Sequence, residues 1–284
     1  MGIERVGIIG GGQMGGGIAE VCAKAGVDVL VHEVDADAAG RARQSIERSL
    51  AKAVERGKLD ADDRDLALGR LSFGTDLEAM ADRQLVIEAV VENEGLKRSI
   101  FASLDQIVTD PEAVLASNTS SIPITRLGVA TERPESVIGL HFFNPAPVMP
   151  LVEVVRGVLT SDATVERATT FAADGLGKTV VQAPDRAGFI VNMLLIPYLV
   201  DAIRMYEAGF ASREDIDAGM VNGAAHPMGP LALCDLIGND TMLFVAESLY
   251  EEFRDARYAP PPLLRRMVDA GLLGRKSGRG FYDY

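Results

Sequence analysis

The sequence has little of what marks disulfide-bonded, metal-binding, membrane or secreted proteins. Only two cysteines occur, Cys22 and Cys234, both in apolar stretches and without CxxC or Cys/His spacing, so we expect two buried, reduced thiols and no metal site. No apolar run reaches the roughly 18 residues that a transmembrane helix needs. No basic segment precedes an apolar stretch at the N-terminus, which predicts that there is no signal peptide. These features favour a cytoplasmic protein that does not bind membranes.

Basic charge is also scarce. The chain has 28 lysines and arginines against 41 aspartates and glutamates, a formal net charge of −13. It therefore lacks the broad positive surface that nucleic acids select, and we expect no nucleic-acid partner. Hydrophobic residues make up 48% and charged residues 24%, which excludes a disordered or fibrous chain. A length of 284 residues suggests one large domain or two moderate ones.

The start of the chain has the pattern of a βαβ unit. Residues 3–10 predict a short buried strand, and the glycine cluster at 10–17 leads into a helix-forming stretch. Residues 27–33 predict a second strand, rich in valine. Strand, turn, helix and strand within about 30 residues imply two parallel strands joined by a right-handed crossover.

Alternation of strands and helices continues to residue 183. The sequence predicts further strands at 85–91, 114–117, 137–142, 151–155 and 178–182, and helices at 36–56, 60–71, 95–109 and 162–175. Beyond a connector at 183–188 it predicts only helices, at 189–208 with a kink at Pro197, and at 213–222, 230–253 and 261–271.

Two domains follow from this change of pattern. We predict an α/β domain with a doubly wound, Rossmann-type sheet over residues 1–186 and an all-α domain over residues 187–284. The helices of the second domain carry more apolar surface than about 100 residues can bury. This excess indicates a homodimer held together by the second domain.

The glycine cluster has the spacing of a dinucleotide-binding turn. In the motif Gly10-x-Gly12-x-x-Gly15, the first glycine permits a tight turn and the second lets the backbone approach a pyrophosphate. The third lets the helix pack closely on the sheet. Gln13 and Met14 lie where that helix starts, and its free N–H groups would face the phosphates. We therefore expect these five residues to bind the cofactor.

Glu33 indicates which dinucleotide is bound. It closes the second strand, where its carboxylate should accept hydrogen bonds from the adenosine ribose. Its charge would repel the 2′-phosphate of NADP, so we expect NAD, with NADP less favoured. Arg41 and Arg43 follow within the next helix and could bind a 2′-phosphate, so the choice between the two cofactors stays open.

A second group of polar residues follows or lies within predicted strands, at 117–121, 141–145 and 149–155. The carboxyl ends of strands line the ligand crevice of a doubly wound sheet, so these groups should converge near the nicotinamide. His141 and Glu153 could then form a general-base unit. From spacing alone, a core histidine with satisfied hydrogen bonds is an equally good interpretation of His141.

Taken together, these segments resemble one known family. The sequence is similar to the short-chain 3-hydroxyacyl-CoA dehydrogenases over its whole length, in the ordered blocks GGGQMGGGIA, IEAVVEN, SNTSS, HFFNPAPVMPLVEVV, GFIVNMLLIPYL, HPMGPLALCDLIG and GRKSGRGFYDY. The resemblance implies an enzyme that interconverts 3-hydroxyacyl-CoA and 3-oxoacyl-CoA by hydride transfer with NAD. It also implies a helical C-terminal domain that mediates dimerisation.

The resemblance also implies roles for individual residues. His141 would take the proton of the 3-hydroxyl, and Glu153 would fix the tautomer of its imidazole. Ser120 in SNTSS and Asn192 in GFIVN would hydrogen-bond the substrate oxygen at C3. Further cofactor contacts are implied at Glu92, Lys97, Asn118, Asn144 and Lys276. At Glu33 the family more often has aspartate, one methylene shorter.

Coenzyme A carries phosphates, so an acidic protein needs a local basic site for it. Lys52, Arg56 and Lys58 cluster at the end of the helix predicted at 36–56, and the resemblance implies that Lys52 contacts CoA. The alternative interpretation is that these three basic residues form an ordinary solvated helix face that binds no ligand. We expect His32 and His226 to be structural.

Two other functions compete with this interpretation. A β-hydroxyacid dehydrogenase acting on a free acid would share the two-domain plan but use a lysine base, which the His141–Glu153 pair disfavours. A non-catalytic dinucleotide-binding protein of the same fold is disfavoured by the intact set of Ser120, His141, Glu153 and Asn192.

Overall fold

The chain folds into two compact units. The computed structural model describes residues 2–284. The first unit ends at Asp185 and the second comprises Arg186–Tyr284. Among residues 2–284 there is no helix that is both long and apolar enough to cross a membrane.

The first unit is built on one eight-stranded sheet. Its spatial order is β3-β2-β1-β4-β5-β6-β7-β8. The strands are β1 Arg5–Ile9, β2 Asp28–His32, β3 Leu71–Gly74, β4 Leu85–Glu88, β5 Val114–Ser117, β6 Val137–Phe142, β7 Leu151–Arg156 and β8 Thr179–Pro184. The order from β3 to β6 is that of a Rossmann sheet, which confirms the predicted fold class.

One neighbouring pair in this sheet is antiparallel. β6 and β7 run in opposite directions, whereas the other paired strands are parallel. The connection between β6 and β7 is residues 143–150 alone. A parallel connection needs about a dozen residues or more, so this link is too short for a crossover.

Within residues 2–185, six α-helices accompany the sheet: α1 Gln13–Lys24, α2 Ala36–Glu55, α3 Ala61–Gly69, α4 Glu94–Ile107, α5 Ile124–Gly128 and α6 Asp162–Thr170. A π-helical turn, Phe171–Gly175, extends α6. Side-chain caps fix three of the helix starts, because Asp35 accepts a hydrogen bond from Ala38 N, Asn93 accepts one from Leu96 N and Ser161 accepts one from Thr164 N.

The sequence prediction missed two short elements here and made one too long. β3 and α5 were not predicted, since four or five residues carry too little periodicity. The strand predicted at 85–91 ends at Glu88, whose carboxylate accepts a hydrogen bond from the backbone N–H of Val90. That side-chain bond takes the place of a further sheet bond.

The second unit is helical, as predicted. Its helices are α7 Val191–Glu207, α8 Arg213–Gly223, α9 Pro230–Ile237, α10 Asn239–Phe253 and α11 Pro262–Asp269. The single helix predicted at 230–253 is two helices, because Gly238 has a φ of +102° between α9 and α10. Pro197 lies inside α7, and within Arg186–Tyr284 the only β pairing consists of isolated bridges at Arg279.

Candidate active site

The glycine turn joins β1 to α1. Gly10 has a φ of +91°, which a side chain would disfavour. A Cβ on Gly15 would lie 1.8 Å from the carbonyl oxygen of Gly10, so only glycine allows the helix to start this close to the strand. A Cβ on Gly12 would meet no protein atom within 4 Å. The space on the side of Gly12 where a Cβ would lie is therefore open, so a phosphate can approach the backbone of Gly12 there.

Two hydrogen bonds tie this turn to other predicted cofactor residues. Glu33 follows β2 and accepts a 2.6 Å bond from the backbone N–H of Gly11. Gln13 donates from Nε2 to Asn144 Oδ1 at 3.1 Å. Met14, the next residue of α1, packs partly buried against the core of the sheet. The glycine turn, the end of β2 and the loop after β6 are thus linked by hydrogen bonds.

A cavity of about 760 Å³ borders the glycine turn. Helix α2 and residues 144–148 form other parts of its wall, and Glu33 and Arg41 both line it. Arg43 instead stacks its guanidinium over the ring of Phe73, 4.7 Å from the centroid. Of the two arginines considered for a 2′-phosphate, only Arg41 lines the cavity.

His141 and Glu153 lie directly opposite each other on β6 and β7. Their Nδ1 and Oε2 atoms are 2.7 Å apart. His141 is 4% exposed and Glu153 is fully buried. On its other side the imidazole Nε2 lies 2.9 Å from the hydroxyl of Ser120, which follows β5. The structure therefore brings Ser120, His141 and Glu153 into one hydrogen-bonded series near the carboxyl ends of β5 and β6.

The turn that carries Ser120 is held by Glu92. One carboxylate oxygen accepts hydrogen bonds from Ser120 N at 3.1 Å and from Ser121 Oγ at 3.2 Å, and also from the hydroxyl of Thr119. The other oxygen lies 3.0 Å from the ammonium of Lys97. Burial alone would raise the pKa of Glu92, but the charge of Lys97 and these hydrogen bonds outweigh it and hold the pKa below its ordinary value.

Lys97 and Asn118 are also engaged within the protein. Lys97 is 1% exposed and pairs with Glu88 as well as Glu92. Asn118 follows β5, and its side-chain oxygen accepts a hydrogen bond from the backbone N–H of Phe142 at 2.9 Å. Asn118 thereby joins the end of β5 to the end of β6, next to His141.

The remaining predicted residues lie on other elements of the chain. Lys52 is exposed in the last turn of α2. Asn192 is half-buried in the first turn of α7, and Lys276 pairs with Asp240 at 2.5 Å within the second unit. His226 is hydrogen-bonded to Tyr198 at 3.2 Å.

Residues 2–284 contain no group of three or more His, Cys, Asp or Glu side chains placed to hold a metal ion. Both cysteines are fully buried, as expected, and burial raises the pKa of the Cys22 thiol to about 12. Neither thiol suits nucleophilic catalysis.

A turn that can receive a pyrophosphate and a histidine that can take a proton occur at the same edge of the sheet. Oxidation of an alcohol to a carbonyl removes a hydride and a proton. A dinucleotide bound at the turn would accept the hydride, and the histidine would accept the proton. The fold and site therefore define a dinucleotide-dependent dehydrogenase.

Comparison with known proteins specifies the family. Residues 5–186 match the NAD binding domain of 3-hydroxyacyl-CoA dehydrogenase, and residues 188–284 match its C-terminal domain. The chain belongs to the 3-hydroxyacyl-CoA dehydrogenase family, which confirms the resemblance seen in the sequence.

Individual relatives match over their full length. A 3-hydroxybutyryl-CoA dehydrogenase of Mycobacterium tuberculosis is 58% identical, covering 99% of each chain. The probable 3-hydroxybutyryl-CoA dehydrogenase of Deinococcus radiodurans is 52% identical over 99% of this chain and 100% of the relative. The crystal structure of the (S)-3-hydroxybutyryl-CoA dehydrogenase of Ralstonia eutropha has a TM-score of 0.92 at 45% identity, covering 99% of each chain.

The sequence interpretation placed residues 117–121 near the nicotinamide but gave no role to Glu88, whose Oε2 accepts a hydrogen bond from the Ser117 hydroxyl. A signal was available, because Glu88 is a charged residue inside an otherwise apolar strand and needs a buried partner.

Proposed function

We propose that this protein interconverts 3-hydroxybutyryl-CoA and acetoacetyl-CoA with NAD. The names of its relatives support the four-carbon substrate. The observation that carries the proposal is the series Ser120 Oγ–His141 Nε2, 2.9 Å, and His141 Nδ1–Glu153 Oε2, 2.7 Å. An imidazole held in this way is a general base directed at a hydroxyl.

The protein's own residues handle the proton. If Nδ1–H donates to Glu153, Nε2 carries the lone pair that can take the proton of the 3-hydroxyl. The Glu153 carboxylate then stabilises the imidazolium that results. Ser120 would hydrogen-bond the C3 oxygen as it becomes a carbonyl. Asn192 is proposed as a second ligand of that oxygen on the strength of its family motif alone.

The residues at the glycine turn fit a dinucleotide. The space above Gly12 is open, and Glu33 stands at the end of β2 where a ribose is expected. NAD supplies the hydride chemistry when it is bound. We propose that the turn residues and Glu33 bind it, together with Glu92, Lys97, Asn118, Asn144 and Lys276.

Helix α2 offers a site for the anionic part of coenzyme A. Arg41, Arg48, Lys52 and Arg56 are spaced seven, four and four residues apart, which places them along one face. The first two line the cavity of about 760 Å³. We propose that this face binds the CoA phosphates, with Lys52 among its contacts.

The second unit is the proposed dimer contact. Its exposed large apolar side chains include Leu194 at 74% and Phe210 at 78% exposure. A second copy of this chain would cover such a surface. Light scattering at low micromolar concentration should give about twice the chain mass of 30.3 kDa, and an active monomer would refute the dimer. We also propose a cytoplasmic location, where the two free, buried thiols remain reduced.

The test of the proposed activity is oxidation of NADH by the purified protein with acetoacetyl-CoA. Free acetoacetate is the matched control, since an enzyme for free acids would use it at least as well. Turnover with acetoacetyl-CoA alone supports the proposal. Turnover with acetoacetate would instead indicate a β-hydroxyacid dehydrogenase that acts on a free acid. NADH binding without turnover of either compound would indicate a non-catalytic dinucleotide-binding protein.

A further inference from the structure

Glu88 has no role in the proposed proton transfer, yet its carboxylate is unusually well bonded. It ends β4 and is fully buried. Oε1 accepts from Val90 N at 2.7 Å, and Lys97 Nζ lies 2.7 Å from Oε1 and 2.9 Å from Oε2. Oε2 also accepts from Ser117 Oγ at 2.7 Å. A buried carboxylate is expensive unless its partners are this complete, and an apolar residue would serve the strand itself better.

The first connection from Glu88 runs through Ser117 to the turn that carries Ser120. The Ser117 hydroxyl donates to Glu88, so its oxygen is free to accept. It accepts a hydrogen bond from the backbone N–H of Thr119 at 3.2 Å. This connection fixes the residue immediately before Ser120.

The second connection runs through Lys97. Its ammonium lies between Glu88 and Glu92, 3.0 Å from Glu92 Oε2. Glu92 Oε1 in turn accepts from the backbone N–H of Ser120 at 3.1 Å. The two connections therefore start at one carboxylate and end on two consecutive backbone N–H groups, those of Thr119 and Ser120.

We propose that Glu88 is a positioning residue for Ser120. By fixing the backbone at Thr119 and Ser120, it holds the Ser120 hydroxyl in line with Nε2 of His141. The proposal rests on the proposed function, in which Ser120 and His141 act on the substrate oxygen. Misplacement of a reacting group by about 1 Å can cost roughly 100-fold in rate, so a rigid support for Ser120 matters to catalysis.

The test is a double-mutant cycle between Glu88→Gln and Ser120→Ala. A glutamine has one acceptor oxygen and presents its NH₂ group to either Lys97 or Ser117, so it cannot support both connections. We expect Glu88→Gln to lower kcat with acetoacetyl-CoA roughly 10- to 100-fold. In the Ser120→Ala background, Glu88→Gln should lower kcat by less than about threefold, because the hydroxyl that Glu88 positions is already absent. Losses that multiply would overturn the proposal.

Two further variants separate positioning from general destabilisation. Asp105→Asn breaks another largely buried ion pair of the same unit, with Arg133 at 2.7 Å, and should lower Tm without lowering kcat. Ser117→Ala cuts only the first connection and changes no charge, so it keeps the test available if Glu88→Gln does not fold. It should lower kcat about three- to tenfold, again with little further effect in the Ser120→Ala background.

The outcome distinguishes this proposal from the proposed function. A fully active Ser120→Ala enzyme would refute the role of Ser120, and the role of Glu88 with it. An impaired Ser120→Ala enzyme beside fully active Glu88→Gln and Ser117→Ala enzymes would refute the role of Glu88 alone.

Discussion

His141 and Glu153 are directly opposed across the antiparallel pair β6–β7, with 2.7 Å between Nδ1 and Oε2. They are twelve positions apart in the sequence, and the short connection at 143–150 brings them together. Because Glu153 is fully buried, water competes little for its hydrogen bond with the imidazole, and this bond therefore fixes the orientation of the ring.

His141→Ala should lower kcat with acetoacetyl-CoA by about 10²- to 10⁴-fold, the usual contribution of a positioned acid or base. NADH binding should survive, because the glycine turn and Glu33 are untouched. Steady-state kinetics and NADH fluorescence titration measure the two effects. A variant within about fivefold of the wild-type kcat would refute the role of His141 as the base.

Glu153→Gln should also reduce kcat severely, since the imidazole loses its charged partner. The double variant should lose less than the product of the single losses, because the two side chains act as one unit. Purely multiplicative losses would show that the two residues act independently.

Glu33→Ala should weaken the use of NADH and relax discrimination against NADPH. The wild-type carboxylate accepts a 2.6 Å hydrogen bond from Gly11 N, which fixes it beside the glycine turn. There its charge opposes a 2′-phosphate. The check is kcat/KM for both cofactors, with wild type and variant measured side by side. If the wild type prefers NADPH, the assignment of Glu33 is wrong, and Arg41, which lines the same cavity, is then the expected ligand of the 2′-phosphate.

The sequence predicted those strands and turns whose sequence patterns are long enough to be recognised locally. The glycine turn and the strands next to it were predictable, because glycine spacing and apolar runs are local signals. β3, with four residues, was not. The direction of β7 was not predicted either, since side-chain alternation is the same in parallel and antiparallel strands.

The site was predictable only in part for a similar reason. His141 and Glu153 stand out as polar residues in apolar strands, but their contact depends on the register of β6 and β7. The bonds from Glu88 to Lys97 and Ser117 span 9 and 29 residues. No local pattern specifies such partners, because Ser117 meets Glu88 only once the parallel strands β4 and β5 are paired, and Lys97 reaches Glu88 from helix α4.

Lys52→Ala should raise KM for acetoacetyl-CoA and leave kcat unchanged. A phosphate contact that is equally strong in the ground and transition states affects binding alone. A rise of about three- to tenfold in KM is expected for one partly solvated ion contact, roughly 1 kcal/mol. Arg98→Ala removes an exposed cation from α4 and is the matched control. An unchanged KM in Lys52→Ala would make Lys52 an ordinary solvated residue.

Acidification should destabilise the protein in part through Glu92. The folded-state pKa of this carboxyl lies below its ordinary value of 4.5. The stabilisation is therefore fully present above about pH 4.5 and is lost as the pH falls through the lower, folded-state pKa. Thermal unfolding of wild type and Glu92→Gln tests this across that range. The wild-type advantage in Tm should be about 2–4 °C near neutral pH, the effect of about 1 kcal/mol in a chain of this size, and should shrink on acidification.

Glu112→Gln is the control for this pH dependence, because the Glu112 side chain is 85% exposed. It should leave the slope of Tm against pH close to that of the wild type. The slope of Glu92→Gln should be shallower than either, since that variant has no carboxylate at position 92 to protonate. If Glu92→Gln and wild type lose stability in parallel from neutral pH to about pH 3, the Lys97 ion pair and the bonds from the Ser120 turn do not stabilise the ionised form of Glu92.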